Sequence, residues 1–178
     1  MKKNLYEFPK SSFLGMAKDT ALIINKILTN KNILKLIYYT SKDWKDKPDL
    51  NSQQIKELFE NKQISNIPKI TVFPDKATYL RISYDDFVPN DTNPYYRNHM
   101  IDIKIICHYD SWDLGDFELR PYRIAGELDS ILDGQHLTGI GELQFLSAEQ
   151  ILIDNEFAGI NLRYWAVRGN EDKVNPLS

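Results

Sequence analysis

A chain of 178 residues that is 42% hydrophobic and 12% aromatic is long enough for one domain with a sizeable core, and it is too apolar for intrinsic disorder. The formal net charge of −3 gives no broad electrostatic basis for binding nucleic acid. The single cysteine, Cys107, excludes an internal disulfide and fits a reducing compartment, and its apolar surroundings in the sequence are typical of a small buried hydrophobe.

The sequence predicts no membrane anchor. No stretch approaches the roughly 20 apolar residues that a membrane helix needs. The two lysines near the start are not followed by the apolar run of a signal peptide. We therefore expect a protein that stays in the cytoplasm or is assembled there, with no membrane partner.

Residues 1–18 are predicted to form an N-terminal arm outside the domain. Phe8 and Phe13 make this arm too apolar to be a purely solvated tail. An arm that docks on a neighbouring subunit would explain them, and an arm that docks on its own domain would explain them equally well.

Three helices are predicted after the arm. Apolar residues at helical spacing indicate helices over residues 20–30, 32–39 and 51–59, the first capped by Asp19 or Thr20 and the third by Ser52. Residues 40–50 are polar and contain Pro48, so they form a connecting loop in which Trp44 is expected to pack locally.

A strand pair and a long loop follow the helices. Residues 69–73 form a short strand candidate that ends at Pro74, and residues 79–84 alternate as a strand does. Residues 85–98 are rich in turn formers and include Asp91, Asn93 and Tyr95. A loop of this size between strands is usually functional or flexible.

The central stretch is predicted to be a strand, a polar turn and a helix. Residues 101–109 alternate with period two, and residues 110–116 form the turn, with Asp110, Trp112 and Asp113 in it. A helix over residues 119–133 is expected to be capped by Asp116, to carry Pro121 in its first turn and to end at Gly134. Its apolar stripe comprises Ile124, Leu128, Ile131 and Leu132. Such a helix packs across a sheet.

The last elements are strands over residues 140–147 and 158–168, with residues 150–153 continuing the first beyond a bulge. Leu143 and Phe145 are predicted to share one face. Trp165 and Val167 make the outer face of the last strand partly apolar, so a covering element or a neighbour is expected there. The sequence therefore predicts an α+β fold: a mainly antiparallel sheet, one helix packed across it and additional N-terminal helices, as one domain over residues 19–168 with a tail over 169–178.

No catalytic, cofactor-binding or metal-binding residue is predicted. His108 and Asp110 could place two ligands side by side, but zinc or iron needs a third and a fourth ligand, so a polar strand end is the better interpretation. The aspartates at 110, 113 and 116 lack the alternate-residue spacing of a helix-loop-helix calcium site. Uncovered sheet faces and exposed sheet edges instead favour association between subunits.

Four segments of the sequence together resemble a group of structural proteins of tailed bacteriophages, the tail terminator and neck (head–tail joining) families. They are Asn-Pro-Tyr-Tyr-Arg at 93–97, Ile-Lys-Ile-Ile-Cys-His-Tyr-Asp-Ser-Trp at 103–112, Leu-Arg-Pro-Tyr-Arg-Ile at 119–124 and Leu-Thr-Gly-Ile-Gly at 137–141. Residues 28–39 with the polar loop after them resemble the front half of those proteins. These proteins are small α+β subunits that form rings at the head-proximal end of a tail.

The resemblance implies an architectural role in a virion, after assembly in the host bacterial cytoplasm. A hexameric ring of copies would cap the tail tube protein, stop tube growth and contact a head connector or neck protein, while DNA passes an acidic lumen without specific binding. Alternatives are a twelve-fold neck or head-completion ring, a baseplate or other tail-adaptor subunit and, from another class, a small enzyme or ligand-binding domain. The candidate subunit or partner contacts are Phe8, Phe13, Asp91, Asn93, Tyr95, Asp110, Trp112, Asp113 and Trp165.

Overall fold

The computed structural model of the chain describes residues 16–67, 76–89, 97–137 and 141–168. The predicted α+β class is confirmed, because helices pack on a five-stranded, mainly antiparallel sheet. The helices are α1 (Met16–Leu28), α2 (Lys31–Tyr38), α3 (Ser52–Glu60) and α4 (Arg120–Leu132). The strands are β1 (Ile64–Ser65), β2 (Thr78–Pro89), β3 (Arg97–His108), β4 (Asp113–Gly115), β5 (Glu118–Leu119), β6 (His136–Leu137), β7 (Gly141–Glu142), β8 (Gln144–Leu152) and β9 (Phe157–Arg168).

The main sheet has the strand order β1-β2-β3-β9-β8. All neighbours are antiparallel except the short β1, which pairs in parallel with β2 at Leu80 and Arg81. The three central strands have 12 residues each and form the body of the domain. The pairs β4–β5 and β6–β7 are small separate hairpins on either side of α4 in the sequence.

One face of the sheet forms the core with the helices. Ile82, Ile103 and Leu162 lie side by side on β2, β3 and β9, and each is at most 3% exposed. Ile124 and Leu128 of α4 are fully buried in the same cluster. The predicted period-two strands and the predicted helical stripe are therefore confirmed, and burial of this face is the main source of stability.

The opposite face of the sheet is polar over most of its area. Arg163 of β9 forms ion pairs with Asp102 of β3 at 3.4 Å and with Glu149 of β8 at 2.8 Å. A small apolar cluster at one end of this face comprises Tyr79, Ile106 and Phe157, and among the described residues no helix contributes a side chain to it.

Gly159 lets β3 and β9 lie close together. A Cβ at this position would lie 1.7 Å from the backbone oxygen of Ile105, which no side chain can tolerate.

Two of the predicted N-terminal helix boundaries are wrong in detail. Helix α1 begins at Met16, within the predicted arm, and Asp19 and Thr20 are buried inside it as helical residues. Helix α3 is capped by Asn51, whose side chain accepts from the backbone of Gln54 at 3.0 Å, and not by Ser52. The Gln54 side chain bonds back to Asn51 in a capping box, so the stronger local motif determines where the helix begins.

Helix α4 begins without the predicted Asp116 cap. Its N-cap residue is Leu119, which makes no side-chain capping bond, and Asp116 instead lies in the β4–β5 turn with φ +49°. The predicted polar turn over residues 110–116 thus contains β4, the first strand of the β4–β5 hairpin. Gly134 has φ +68° just after the helix, as predicted for a left-handed helix stop.

The predicted loop over residues 85–98 is too long. Strand β2 continues to Pro89 and β3 begins at Arg97, because pairing resumes at Val88 and Asn98 beyond a bulge. Asp86 provides this irregularity with φ +49°, a conformation that Asp tolerates better than most residues. The predicted strand at 69–73 and the tail at 169–178 lie outside the described residues.

Leu143 and Phe145 lie on the same side of the sheet, as predicted, but they differ in exposure. Leu143 is 1% exposed in the core, and Phe145 lies opposite the buried Tyr164 of β9, with ring centroids 5.9 Å apart. Phe145 is nevertheless 45% exposed, because it is on an edge strand. The bulge predicted between residues 147 and 150 instead lies between Phe145 and Ser147, and pairing is continuous from Ser147 to Leu152. Among the described residues, none of the helices has the length and apolar character required to span a bilayer.

Candidate association surfaces

The predicted contact residues divide into two groups. Asp110, Trp112, Asp113 and Trp165 are in the described part of the chain. The other five lie outside the described residues: Phe8, Phe13, Asp91, Asn93 and Tyr95.

Asp110 and Asp113 are both exposed near the end of β3, and each is paired with a lysine of another segment. Asp110 bonds to Lys76, and Asp113 bonds to Lys42. The hydrogen bond from its lysine is the main reason that the pKa of each carboxyl is lowered. Two of the three aspartates in the predicted turn are therefore neutralised by neighbouring lysines.

Trp112 holds the base of the hairpin in place. Its indole Nε1 donates to the backbone oxygen of Cys107 at 3.1 Å, and its own backbone oxygen accepts from the amide of Arg120 at 2.7 Å. Its ring lies beside that of Tyr109, with centroids 5.6 Å apart. This residue therefore has a structural role between β3 and α4, and a contact role for it stays a prediction.

Trp165 is half-buried on the polar face of β9, opposite Met100 of β3 and Gln144 of β8. It lies on the face away from Trp112, since its β9 neighbours Tyr164 and Ala166 face the core. The two tryptophans therefore belong to different surfaces.

His108 caps the turn that follows β3. Its Nδ1 accepts from the backbone amide of Asp110 at 3.1 Å, and its ring packs edge-on against Phe157. The nitrogen that could face a metal beside Asp110 is thus occupied. Within the described ranges, no group of three or more His, Cys, Asp or Glu residues could hold a metal ion.

Arg120 is fully buried and joins the start of α4 to the end of α2. Its guanidinium donates to five backbone oxygens at 2.6–2.9 Å, those of Ser111, Leu36, Tyr39, Thr40 and Ser41. Burial lowers the pKa of this guanidinium. Four of its acceptors lie at or just after the last turn of α2, where the helix dipole favours a cation. The position of Arg120 on the Ile124–Leu128 stripe, at spacing four, was the sequence signal for this role.

The β4–β5 hairpin presents an exposed aromatic side chain that sequence analysis missed. Phe117 is 104% exposed at the tip, and both Asp116 and Phe117 have positive φ, +49° and +63°. A two-residue turn with this geometry favours Asn and Gly, and a bulky residue there is strained. Leu119 and Tyr122 beside it are 36% and 52% exposed. The sequence signal was an apolar residue between Asp116 and Glu118 in a turn.

The hairpin and the outer face of α4 enclose a groove of about 530 Å³. Its lining comprises Phe117, Glu118, Leu119, Tyr122, Arg123, Gly126, Glu127 and Ser130. Gly126 lies inside a helix, yet a Cβ there would meet no atom within 4 Å. Glycine in a helix interior costs about 1 kcal/mol relative to alanine, and no contact within the described chain explains it.

Charged groups on one wall of the groove are held in place by polar neighbours. Arg123 bonds to Glu127 at 2.7 Å and to Glu118 at 3.3 Å. Burial raises the pKa of Glu127, but hydrogen bonds from Asn30 and Asn32, with the charge of Arg123, outweigh it and leave the pKa lowered. The wall is therefore a rigid, ionised network that a partner would meet already formed.

Strand β8 is a long edge strand. It pairs with β9 on one side, and in the part of the chain that the structure describes no strand pairs with its other side. Seven of its nine residues are exposed, including Phe145, Leu146 and Leu152 at 45%, 51% and 76%. It contains no lysine and no proline, the residues that most often protect such an edge. This strand is a second surface suited to association.

A family model described as YomW matches residues 30–165 of the chain. No curated protein matches. A chain in the solved structure titled "Virion of native gene transfer agent (GTA) particle" is similar at 13% sequence identity and a TM-score of 0.49, over 84% of this chain and 93% of that chain.

The family match runs from Asn30, the cap of α2, to Trp165 in β9, so it includes Arg120, the hairpin, the groove and β8. Since it spans well over half of the 178 residues, the chain belongs to the YomW family.

Proposed function

We propose that this member of the YomW family is a structural virion protein of a tailed bacteriophage, and that its copies form a ring at the head-proximal end of the tail. The observation that carries the proposal is the exposed edge strand β8, which has nine residues and ends the sheet. The resemblance of the four sequence segments to tail terminator and neck proteins supports the same role.

The two edges of the sheet offer different surfaces, as a ring requires. Strand β1 covers β2 only at Leu80 and Arg81, so among the described residues the remainder of β2, from Ile82 to Pro89, has no strand on that side. Pairing β8 of one copy with this part of β2 in the next copy would extend the sheet from subunit to subunit. A contact between two different surfaces forms a closed ring when its rotation closes.

In the proposed particle the ring is a hexamer that caps the tail tube protein and contacts a head connector or neck protein. DNA passes through the lumen without specific binding, in keeping with the net charge of −3. The described aspartates 110 and 113 contribute little to an acidic lumen, because Lys76 and Lys42 pair with them. The lumen charge therefore depends on other carboxylates, and a strongly basic lumen would contradict this part of the proposal.

The association step is tested by light scattering after size-exclusion chromatography. The wild type is expected to form an oligomer whose population rises with protein concentration. Lysines at two exposed edge positions, Ala148→Lys with Leu152→Lys, should give a folded monomer because they place charge on the pairing edge. The matched control adds the same charge in α3 and just after its end, Gln53→Lys with Asn61→Lys, and should assemble as the wild type does.

The location is tested by immunogold labelling of phage particles released from a host that produces the protein. Label at the head–tail junction is expected. Label at the tail tip would contradict the ring at the junction and favour a baseplate adaptor. A protein that is absent from particles and monomeric at every concentration would overturn the proposal and favour a small enzyme or ligand-binding domain.

A further inference from the structure

The groove beside α4 has the features of a binding surface that is formed before its partner arrives. Phe117 is held fully exposed at a strained turn, and Gly126 leaves open space in the floor of the groove. Tyr122 adds a half-exposed ring on the helix. Exposed aromatic rings around a cleft are the anchors that interfaces use most, so the groove suits an apolar, extended peptide.

The first 15 residues of the chain have the matching chemistry. They contain Phe8, Pro9 and Phe13 together with Leu5, Tyr6 and Leu14. Their charged residues are Lys2, Lys3 and Lys10 against Glu7. The groove and hairpin tip carry the carboxylates of Asp116, Glu118 and Glu127 against the cations of Arg123 and Lys45. A basic, aromatic arm therefore complements an aromatic groove with an excess of carboxylates.

Helix α1 begins beside β2. At its start, the backbone oxygen of Met16 accepts from the hydroxyl of Tyr84 on β2, at 3.4 Å. Just beyond its end, Asn30 donates to Glu127 of α4 at 3.0 Å. Helix α1 thus runs from β2 toward α4, and Met16, its first residue, lies at the β2 side of the sheet.

In the proposed ring, that side of the sheet faces the next copy. The neighbour's β8 and β9 would lie about 5 and 10 Å beyond β2, and α4 packs on β9. An arm of this length can reach about 50 Å when extended. We infer that residues 1–15 of each copy dock in the groove between the β4–β5 hairpin and α4 of the neighbouring copy.

This inference rests on the proposed function for the presence of a neighbouring copy, and disulfide crosslinking of the full-length chain tests it. One variant carries Ser12→Cys in the arm, and a second carries Ser130→Cys in the groove. Burial raises the pKa of the native Cys107 thiol to about 12, so this residue stays unreactive. Mixed and mildly oxidised, the two variants should give a covalent heterodimer. In the control, Ser12→Cys is mixed with Gln53→Cys, which places the second thiol on α3, and this mixture should give at least tenfold less covalent heterodimer.

Two further variants test the groove itself. Gly126→Leu in the Ser130→Cys chain fills the open space and should reduce crosslinking at least tenfold, whereas Gly126→Ala should leave it within twofold. Phe117→Asn suits the turn better than phenylalanine but removes the anchor, so it should also reduce crosslinking. Unchanged crosslinking in both Gly126→Leu and Phe117→Asn would overturn the assignment of the groove.

The outcomes separate this inference from the function on which it rests. An oligomer that gives no Ser12–Ser130 crosslink refutes arm docking and leaves the ring intact. A monomer at every concentration that gives no crosslink refutes both. A chain with both cysteines that crosslinks only within itself places the arm on its own subunit and overturns exchange between copies. Crosslinked copies that are absent from virions would refute the virion role and retain the docking.

Discussion

Replacing Arg120 by methionine should be among the most destabilising single substitutions outside the apolar core. The guanidinium is fully buried and donates to five backbone oxygens. The bonds to Leu36 and Ser111 are buried, whereas those to the other three acceptors are partly buried and can be replaced by water. Each buried acceptor left without a donor costs about 1–3 kcal/mol.

The two buried acceptors therefore account for about 2–6 kcal/mol, and release of the guanidinium from its buried site offsets part of this cost. We therefore expect Arg120→Met to destabilise the fold by about 2–5 kcal/mol. Arg120→Lys should be intermediate, because an ammonium keeps the charge but has three donors instead of a planar fork of five.

The assay is urea denaturation followed by circular dichroism, at several protein concentrations because association would add to the apparent stability. The control is Arg123→Met. Its side chain is 38% exposed and forms ion pairs with Glu118 and Glu127, so the expected loss is about 1 kcal/mol or less. If the free energy of unfolding of Arg120→Met lies within 1 kcal/mol of that of the wild type, the connection between α2 and α4 does not depend on this residue.

Three other predictions concern the packing and the charges of the fold. Gly159→Ala should destabilise the fold by about 1–3 kcal/mol or more, because its Cβ would overlap the backbone of β3. Gly126→Ala lies on open helix surface and should stabilise the fold slightly. Equal changes in the free energy of unfolding of the two variants would contradict both expectations. Leu128→Asp should prevent folding, because it places a carboxylate in the core, and a soluble folded variant would show that this face of α4 is not inward. The lowered pKa of Glu127 stabilises the fold above the usual carboxyl pKa of 4.5, and this contribution is lost as the pH falls through the folded-state value. Glu127→Gln should therefore show a weaker loss of stability between pH 5 and pH 3, measured by denaturant titration, and an unchanged pH dependence would exclude this role.

The local patterns predicted the elements well where one side of the element is buried. The alternation of Ile101, Ile103 and Ile105 and the spacing of Ile124 and Leu128 identified the inward faces of β3 and α4 correctly. These patterns are reliable because burial selects apolar residues with the period of the element itself. The caps were less predictable, because several polar residues near a helix start compete for the same role, as Asn51 and Ser52 do.

The candidate surfaces were mostly beyond sequence analysis. Phe117 lies between the predicted turn over residues 110–116 and the predicted helix over 119–133 and was not considered as an anchor, and Arg120 was quoted only as part of a motif. An exposed aromatic and a buried arginine both violate the usual preference of their residue type. The spacing of Arg120 from Ile124 and Leu128 indicates an inward position, but it does not show which backbone oxygens the guanidinium meets. Their roles depend on which segments lie beside them.

The sequence by itself determined the α+β class, the order of most elements and the inward faces, because each depends on residues close together in the chain. The tertiary structure decided that β8 is an edge, that β2 is covered by β1 at only two positions and that α4 and a hairpin enclose a groove. These properties arise from pairings between residues far apart in the chain, such as Ile105 with Ile160 or Arg120 with Leu36. Local preferences for helix or strand do not specify which distant segments pair, so these properties are seen only in the folded chain.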